Sequence, residues 1–445
     1  MRLLLSLLCL AFSLGAQTTP PRPTLQIPPG AEASPGFDAQ TAARAYLATW
    51  KPDQKARSDA YFEGGYWLQL WDLLIGAGIS ILLLSTRLSA KFRDWSQQIA
   101  SRQPLVTWLY WAQYSLAIFI LSLPWAVYEG FLRESQYGFM NQTFAAWFID
   151  QCKSLAIDIL LGGLAVMALF GIVRRLPRTW QFWCAGAAIL ITMIGALIFP
   201  VFLAPMFNKY TLLQDAGIRD PILRIARANG IPATKVYEVD ASRQSNRISA
   251  NVSGLLGTER ITLNDNLLRR CSPQAIMAVM SHEMGHYVLN HVYKMMAFLT
   301  ILFVGYFAAL RWGLDWSLAK WGARWQVRGV SDPAVLPLAA LILAILGFLA
   351  TPIQNTLTRT QEYEADIFGL NAARQPDGFA ESALLLGEYR KMEPGALEEF
   401  VFFDHPSGRT RIYAAMRWKA ENQCGVGPWP APSRAAPSAR QARCE

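Results

Sequence analysis

The sequence predicts a predominantly α-helical polytopic membrane protein with a smaller α+β part outside the bilayer, and three observations predict it. Of 445 residues, 53% are hydrophobic and only 16% are charged, whereas soluble domains carry a charged share of about 25%. The apolar residues gather in long runs, each able to cross a hydrocarbon core of about 30 Å as a helix. Between two of these runs the pattern changes to short alternating segments bounded by turn residues. The same composition excludes disordered, collagenous and small disulfide-framework classes. Six cysteines include no CxxC pair, so zinc-ribbon and thioredoxin-like readings have no support.

Residues 1–16 carry Arg2, an apolar stretch from Leu3 to Leu14, then Gly15 and Ala16, the layout of a secretory signal peptide. An uncleaved first span also fits, but the apolar core is shorter than the roughly 20 residues a span requires. Residues 17–66 hold Pro20, Pro21, Pro23, Pro28 and Pro29, a linker that cannot form a helix, followed by an amphipathic lead-in. Residues 67–206 contain four predicted spans, Trp67–Ser85, Trp108–Tyr128, Leu155–Val173 and Trp180–Phe202. In the non-membrane stretch 207–294, Asp215–Asn229 reads as a helix stopped by Gly230 and Pro232. Lys235–Asp240, Arg247–Ser253 and Glu259–Asn264 read there as strands, and Ser272 caps a further helix with Pro273 in its first turn. Two more spans, Met295–Trp312 and Val335–Pro352, occupy residues 295–355. A second non-membrane part takes residues 356–423, and residues 424–445 read as a disordered Pro/Ala/Ser-rich tail.

The net charge of +9 would suit nucleic acid if it lay on one soluble face. Instead it falls in short loops. Arg87, Lys91, Arg93 and Arg102 follow span one, Arg174, Arg175 and Arg178 follow span three, and Arg311, Lys320, Arg324 and Arg328 follow span five. These loops share one side, which the positive-inside rule makes cytoplasmic. A multi-pass protein of a bacterial inner membrane is therefore expected, in contact with membrane lipid and not with nucleic acid. Both non-membrane parts then lie outside the cytoplasm. Cys424 and Cys444 could pair there, or remain two free tail thiols.

The chemistry centres on His282-Glu283-Met284-Gly285-His286. Two histidines four apart stand one turn above each other, so both imidazoles reach one Zn²⁺ while Glu283 lies beside its water, a zincin-type arrangement. Three of the four histidines in the chain fall between His282 and His291. His291, nine residues after His282, points to nearly the opposite face of a continuous helix and is rejected as a ligand. Glu362 is the better third ligand. Asp366 shares its helical face and can take the free ring N–H of a ligand histidine, while Glu364 lies two residues off that face.

The chain resembles the type I CAAX prenyl endopeptidases, integral-membrane zinc metalloproteases. Besides the HExxH element, the resemblance rests on Tyr128-Glu129-Gly130-Phe131, Gly138-Phe139, Asn141-Gln142-Thr143, Ala204 to Lys209, Glu362-x-x-Ala365-Asp366, and His405-Pro406 with Arg411. It covers roughly Tyr46 to Trp418. It implies one zinc per chain held by His282, His286 and Glu362, with Glu283 as general base and Asp366 supporting a ligand histidine. The family's Asn-Ala-Tyr-x-x-Gly edge strand, which holds substrate in extended form, corresponds to Ser249-Ala250-Asn251-Val252-Ser253-Gly254. Ser249, Ala250, Asn251 and Gly254 are therefore candidate substrate-binding residues, although two family side chains are replaced. Strand addition depends on backbone groups, so the platform can survive the replacements. His405 and Arg411 are candidates for binding the substrate carbonyl oxygen or a substrate carboxylate. The family enzymes of eukaryotes work at the cytoplasmic face, against the charge bias here.

The leading expectation is a membrane-embedded zinc endopeptidase acting on an extended peptide or protein substrate that is membrane-associated, prenylated or exported. A site-2-type intramembrane protease would place the HExxH inside a span, whereas here a polar, strand-like segment precedes it. A zinc-binding membrane scaffold without turnover would not need Glu283.

Overall fold

The computed structural model describes residues 22–253 and 260–424. The signal-peptide reading of residues 1–16, Gly254, Glu259, Cys444 and the tail 425–445 lie outside the described residues.

The chain begins with residues 22–38, which form no helix, as their prolines require. They do not hang free. Ala31 and Phe37 are buried against the C-terminal part, and α1 (Ala39–Leu47) packs with them through Ala42, Ala43 and Tyr46. The buried Lys419 ammonium donates to both carboxylate oxygens of Asp377 at 2.7 Å and to the Ala31 carbonyl, while the Tyr46 hydroxyl donates to Asp377. The residues ahead of the membrane part therefore sit on the same end of the molecule as the non-membrane parts.

Six helices among the described residues are long and apolar enough to cross a membrane: α2 (Pro52–Ser85), α4 (Gln103–Gln136), α5 (Phe144–Arg175), α6 (Trp180–Met206), and two later ones described below. Between α2 and α4 lies α3 (Leu88–Ile99), whose Phe92 and buried Arg93 face inward. Large apolar side chains face outward along the bundle, Ile301 at 75% and Leu349 at 67% exposed. Apolar surface on that scale belongs in lipid. The protein is an integral multi-pass membrane protein.

The non-membrane part between spans four and five is a four-stranded mixed sheet with three helices packed against it. The elements are β1 (Tyr210–Leu212), α7 (Ala216–Ala228), β2 (Val236–Val239), β3 (Ala250–Ser253), β4 (Arg260–Asn264), α8 (Asp265–Arg270) and α9 (Pro273–Val288). The sheet order is β1-β2-β4-β3, with β2 and β4 parallel and the outer pairs antiparallel. Ile218, Ile222, Ile261, Leu263, Leu267 and Met280 form the core between sheet and helices. β3 is an edge strand pairing on one side only, Ala250 opposite Leu263.

Several expected boundaries shift. The fifth span is the long helix α10 (His291–Trp325), so Arg311, Lys320 and Arg324 stand on a helix and not in a loop. The sixth span and the stretch holding Glu362 are one helix, α11 (Leu336–Ala373), unbroken by Pro352. Helix packing around Pro352 overrides the local penalty of its missing N–H. β1 was not expected, since three residues carry too little alternation to register, and β3 begins after Ser249. The described residues end with α12 (Pro376–Leu386), α13 (Ala396–Phe402) and α14 (Gly408–Gln423).

The basic connections meet at the bundle end away from the sheet. Arg93 pairs with Asp332 at 2.6 Å, the Arg87 Nε donates to the Arg324 carbonyl, and Arg311 donates to the Arg178 carbonyl.

Candidate active site

Helix α9 starts where Ser272 caps it, accepting from the Ala275 N–H, with Pro273 in the first turn where no N–H is needed. It runs outside all six spans. Its one-turn spacing places His282 Nε2 and His286 Nε2 3.2 Å apart. The lower half of α11 crosses it closely because two glycines make room. A β-carbon on Gly285 would lie 3.1 Å from Ala365 Cα, and one on Gly369 would lie 2.9 Å from the His282 backbone nitrogen. This approach brings Glu362 into the pair, its Oε2 3.2 Å from His282 Nε2 and its Oε1 3.4 Å from His286 Nε2.

The triangle suits a divalent metal. All three ligand atoms lie within 4.8 Å of one another, and a tetrahedral centre with bonds of about 2.0–2.1 Å has edges of about 3.3 Å. Glu362 Oε2 is buried with no hydrogen-bond partner, although His282 and His405 Nε2 each lie 3.2 Å from it. A buried carboxylate oxygen left so is costly unless a cation meets it. The donor set, two imidazoles and one carboxylate, is that of a catalytic zinc site with an open position.

The surrounding groups organise the triangle. Asp366, fully buried, lies 2.7 Å from His282 Nδ1. Its oxygens also receive the Arg411 guanidinium, from Nε at 2.9 Å and Nη2 at 2.5 Å. Arg411, expected to bind a substrate carbonyl oxygen or carboxylate, thus engages two of its donors with Asp366, while still lining the cavity. His405 lies between Glu362 and Asp404, with Nδ1 2.8 Å from Asp404 Oδ1. Arg390 Nη2 lies 3.4 Å from the same His405 Nε2.

Burial strongly affects titration here. Glu283 is pushed up to about 7, chiefly because its charged form is desolvated, with Glu362 adding to the shift and His282 opposing it. Burial disfavours a proton on His282, yet the Asp366 and Glu362 carboxylates hold it up to about 9. His286 falls to about 4 through burial and the neighbouring His282 charge. A metal in the triangle must displace the His282 proton, so metal uptake releases protons.

A cavity of roughly 150 Å³ opens on these groups. Ser249 and Ala250 line it together with His282, Glu283, Glu362, Arg390 and His405, so the start of the edge strand runs directly past Glu283. Asn251 turns away into a second cavity of about 570 Å³ with Ser253 and Arg260. Arg390 and Asp404 escaped the sequence reading. Asp404 could have been found as the immediate neighbour of His405, whereas Arg390 has no local signal.

Residues 212–419 match the family model of peptidase family M48, and residues 40–209 match the model described as CAAX prenyl protease N-terminal, five membrane helices. Four of the spans fall in the latter stretch. The uncharacterized metalloprotease YhfN of Bacillus subtilis is 27% identical over 369 residues, 82% of this chain and 86% of that protein. The CAAX prenyl protease 1 homolog of Oryza sativa is 30% identical over 268 residues, covering 58% of this chain and 60% of that protein. CAAX prenyl protease 1 of Saccharomyces cerevisiae is 28% identical over 263 residues, covering 56% and 58%. The match thus spans less than two thirds of the rice and yeast proteins. The crystal structure of S. mikatae Ste24p shares the fold with a TM-score of 0.70 at 21% identity, over 83% of this chain and 89% of that one. The peptidase model and the membrane model meet almost end to end along residues 40–419, so the chain is a membrane-embedded metalloprotease, similar in its two parts to peptidase family M48 and to the CAAX prenyl proteases.

Proposed function

We propose that the chain is a zinc endopeptidase whose ion is held by His282, His286 and Glu362, and that it hydrolyses extended segments of membrane-associated or exported proteins. The observation that carries this reading is the triangle of ligand atoms at 3.2, 3.2 and 3.4 Å with Glu283 on the same helix. When bound, the zinc supplies a Lewis acid for the scissile carbonyl and makes water more acidic. Glu283, with its pKa near neutrality, is suited to accept a proton from the attacking water and pass it to the leaving amine. Asp366, with Oδ1 2.7 Å from His282 Nδ1, is placed to hold that ring with its Nε2 aimed into the triangle. His405, oriented by Asp404, presents Nε2 where negative charge develops on the carbonyl oxygen. The unpaired side of β3 offers backbone groups to an added substrate strand, with Ser249 and Ala250 nearest the chemistry.

The relatives named as CAAX prenyl proteases make a prenylated protein one candidate substrate. The docked N-terminal segment favours an exported one, because a secretory signal ahead of it would carry the whole catalytic end to the non-cytoplasmic side of a bacterial inner membrane. The test is a comparison of membrane proteomes from cells bearing the parent chain or Glu283→Gln. Full-length proteins that accumulate with the variant identify substrates. Identical proteomes, together with an inability of the purified parent to cleave peptides, would remove the reading.

A further inference from the structure

His291 lies apart from the ligand triangle, yet it is 3% exposed and touches one of the ligands. Helix α9 ends at Val288, and Asn290 adopts φ 59°, the left-handed conformation that a short polar side chain tolerates. That single residue turns the chain back, and α10 begins at His291 with its ring facing α9. His291 Nδ1 stands 2.9 Å from His286 Nδ1, and its Nε2 stands 3.0 Å from Glu364 Oε2. The same carboxylate oxygen receives Lys294 Nζ at 2.7 Å.

We infer that His291 is a positioning residue that fixes the tautomer and ring orientation of His286 through a relay ending on Glu364 and Lys294. The inference rests on the metal reading above. Because His286 Nε2 is the atom in the triangle, its lone pair points inward and its single hydrogen must sit on Nδ1. That N–H requires an acceptor, and among the described residues the ring nitrogen that meets it is His291 Nδ1. The hydrogen of His291 is then on Nε2, where Glu364 accepts it. The second ligand histidine has a separate support, Asp366 with Arg411. Each imidazole thus faces its own support, ending in a carboxylate–cation pair. The division explains why Glu362 and Glu364, two residues apart on one helix, both take part from opposite directions: one faces the triangle, the other reaches around to His291.

The test is the zinc affinity of the full-length purified protein, measured by competition with a chelating chromophore. Loss of such a supporting group lowers metal affinity by about 10–100-fold. His291→Ala is expected to weaken zinc by that factor and to shift the visible bands of the cobalt(II)-substituted protein. His291→Gln, whose amide can accept from His286 and donate to Glu364, should recover most of the affinity. Glu364→Gln, at an exposed group that leaves the core intact, should weaken zinc by less than His291→Ala. Unchanged zinc affinity in both His291→Ala and Glu364→Gln, with zinc lost in His286→Ala, overturns this inference alone. Zinc retained in His286→Ala overturns the ligand assignment and the inference together.

Discussion

In the proposed mechanism, Glu283 and its neighbours carry the chemistry residue by residue. The Glu283→Gln variant should keep its zinc, since the side chain lies outside the ligand triangle, and lose about 10²–10⁴ in turnover, the usual worth of a general base. Metal analysis and a peptide cleavage assay on the same sample check both halves; near-normal turnover would end the mechanism. The pH profile follows from burial. Glu283 must be ionised to act, burial lifts it to about 7, and a cation in the triangle pulls it back down. The acid limb of kcat/KM should therefore lie between about 4.5 and 7 and steepen no further above it, and it should vanish from the residual activity of Glu283→Gln. Metal analysis of the parent should give about one zinc per chain, lost in Glu362→Ala. The placement of these groups was legible because the HExxH spacing alone puts two imidazoles and a carboxylate on known sides of a helix. The contact of His291 with His286 was not legible, because a continuous helix would point His291 to nearly the opposite face, and one left-handed residue breaks the helix between them.

The crossing of α9 and α11 is the element-scale determinant of the site. Each helix carries part of the proposed ligand set, and neither brings all three groups together alone. Gly369 is where the two backbones come nearest, and its added β-carbon would stand 2.9 Å from the His282 nitrogen. Gly369→Ala should therefore push the helices apart, costing about 1–3 kcal/mol by the usual effect of overpacking. Zinc affinity should fall with it. Thermal unfolding of the metal-free form and chelator competition would separate the two effects, and a Gly369→Ala protein with unaltered zinc affinity would show that the crossing tolerates expansion. The apolar runs announced the spans reliably, because lipid demands continuous helix of a set length. Their ends did not show in hydropathy. α10 continues through Trp325 and α11 through Ala373, since charged residues outside the hydrocarbon stay helical when packing favours it.

For the whole molecule, the questions are which side the catalytic end faces and what ties it together. The N-terminal segment, α1 and α14 share one buried core and one buried ion pair, Lys419 with Asp377. Breaking a buried pair by removing one partner typically costs 3–5 kcal/mol, so Asp377→Ala should lower the unfolding temperature markedly and loosen residues 22–47 to proteolysis. Unchanged protection of that segment would mean the core holds without the pair. On orientation, the basic connections gathered at the opposite end favour a non-cytoplasmic catalytic end. Alkaline phosphatase fused to the C-terminus of the full chain should be active. An inactive phosphatase with a fluorescent counterpart fusion would place the catalytic end in the cytoplasm.

By itself the sequence determined the membrane class, the helices that cross it, the HExxH helix and the face shared by Glu362 and Asp366, since each follows from a local period or a run length. The tertiary structure alone decided which distant groups meet. The turn at Asn290, the glycine contact between α9 and α11, the approach of Arg390 and Asp404 to His405, and the docking of residues 22–47 onto α14 all join positions far apart in the chain. Local periodicity carries no record of such contacts, because they depend on how packed helices cross and on single backbone torsions, and neither repeats along the chain.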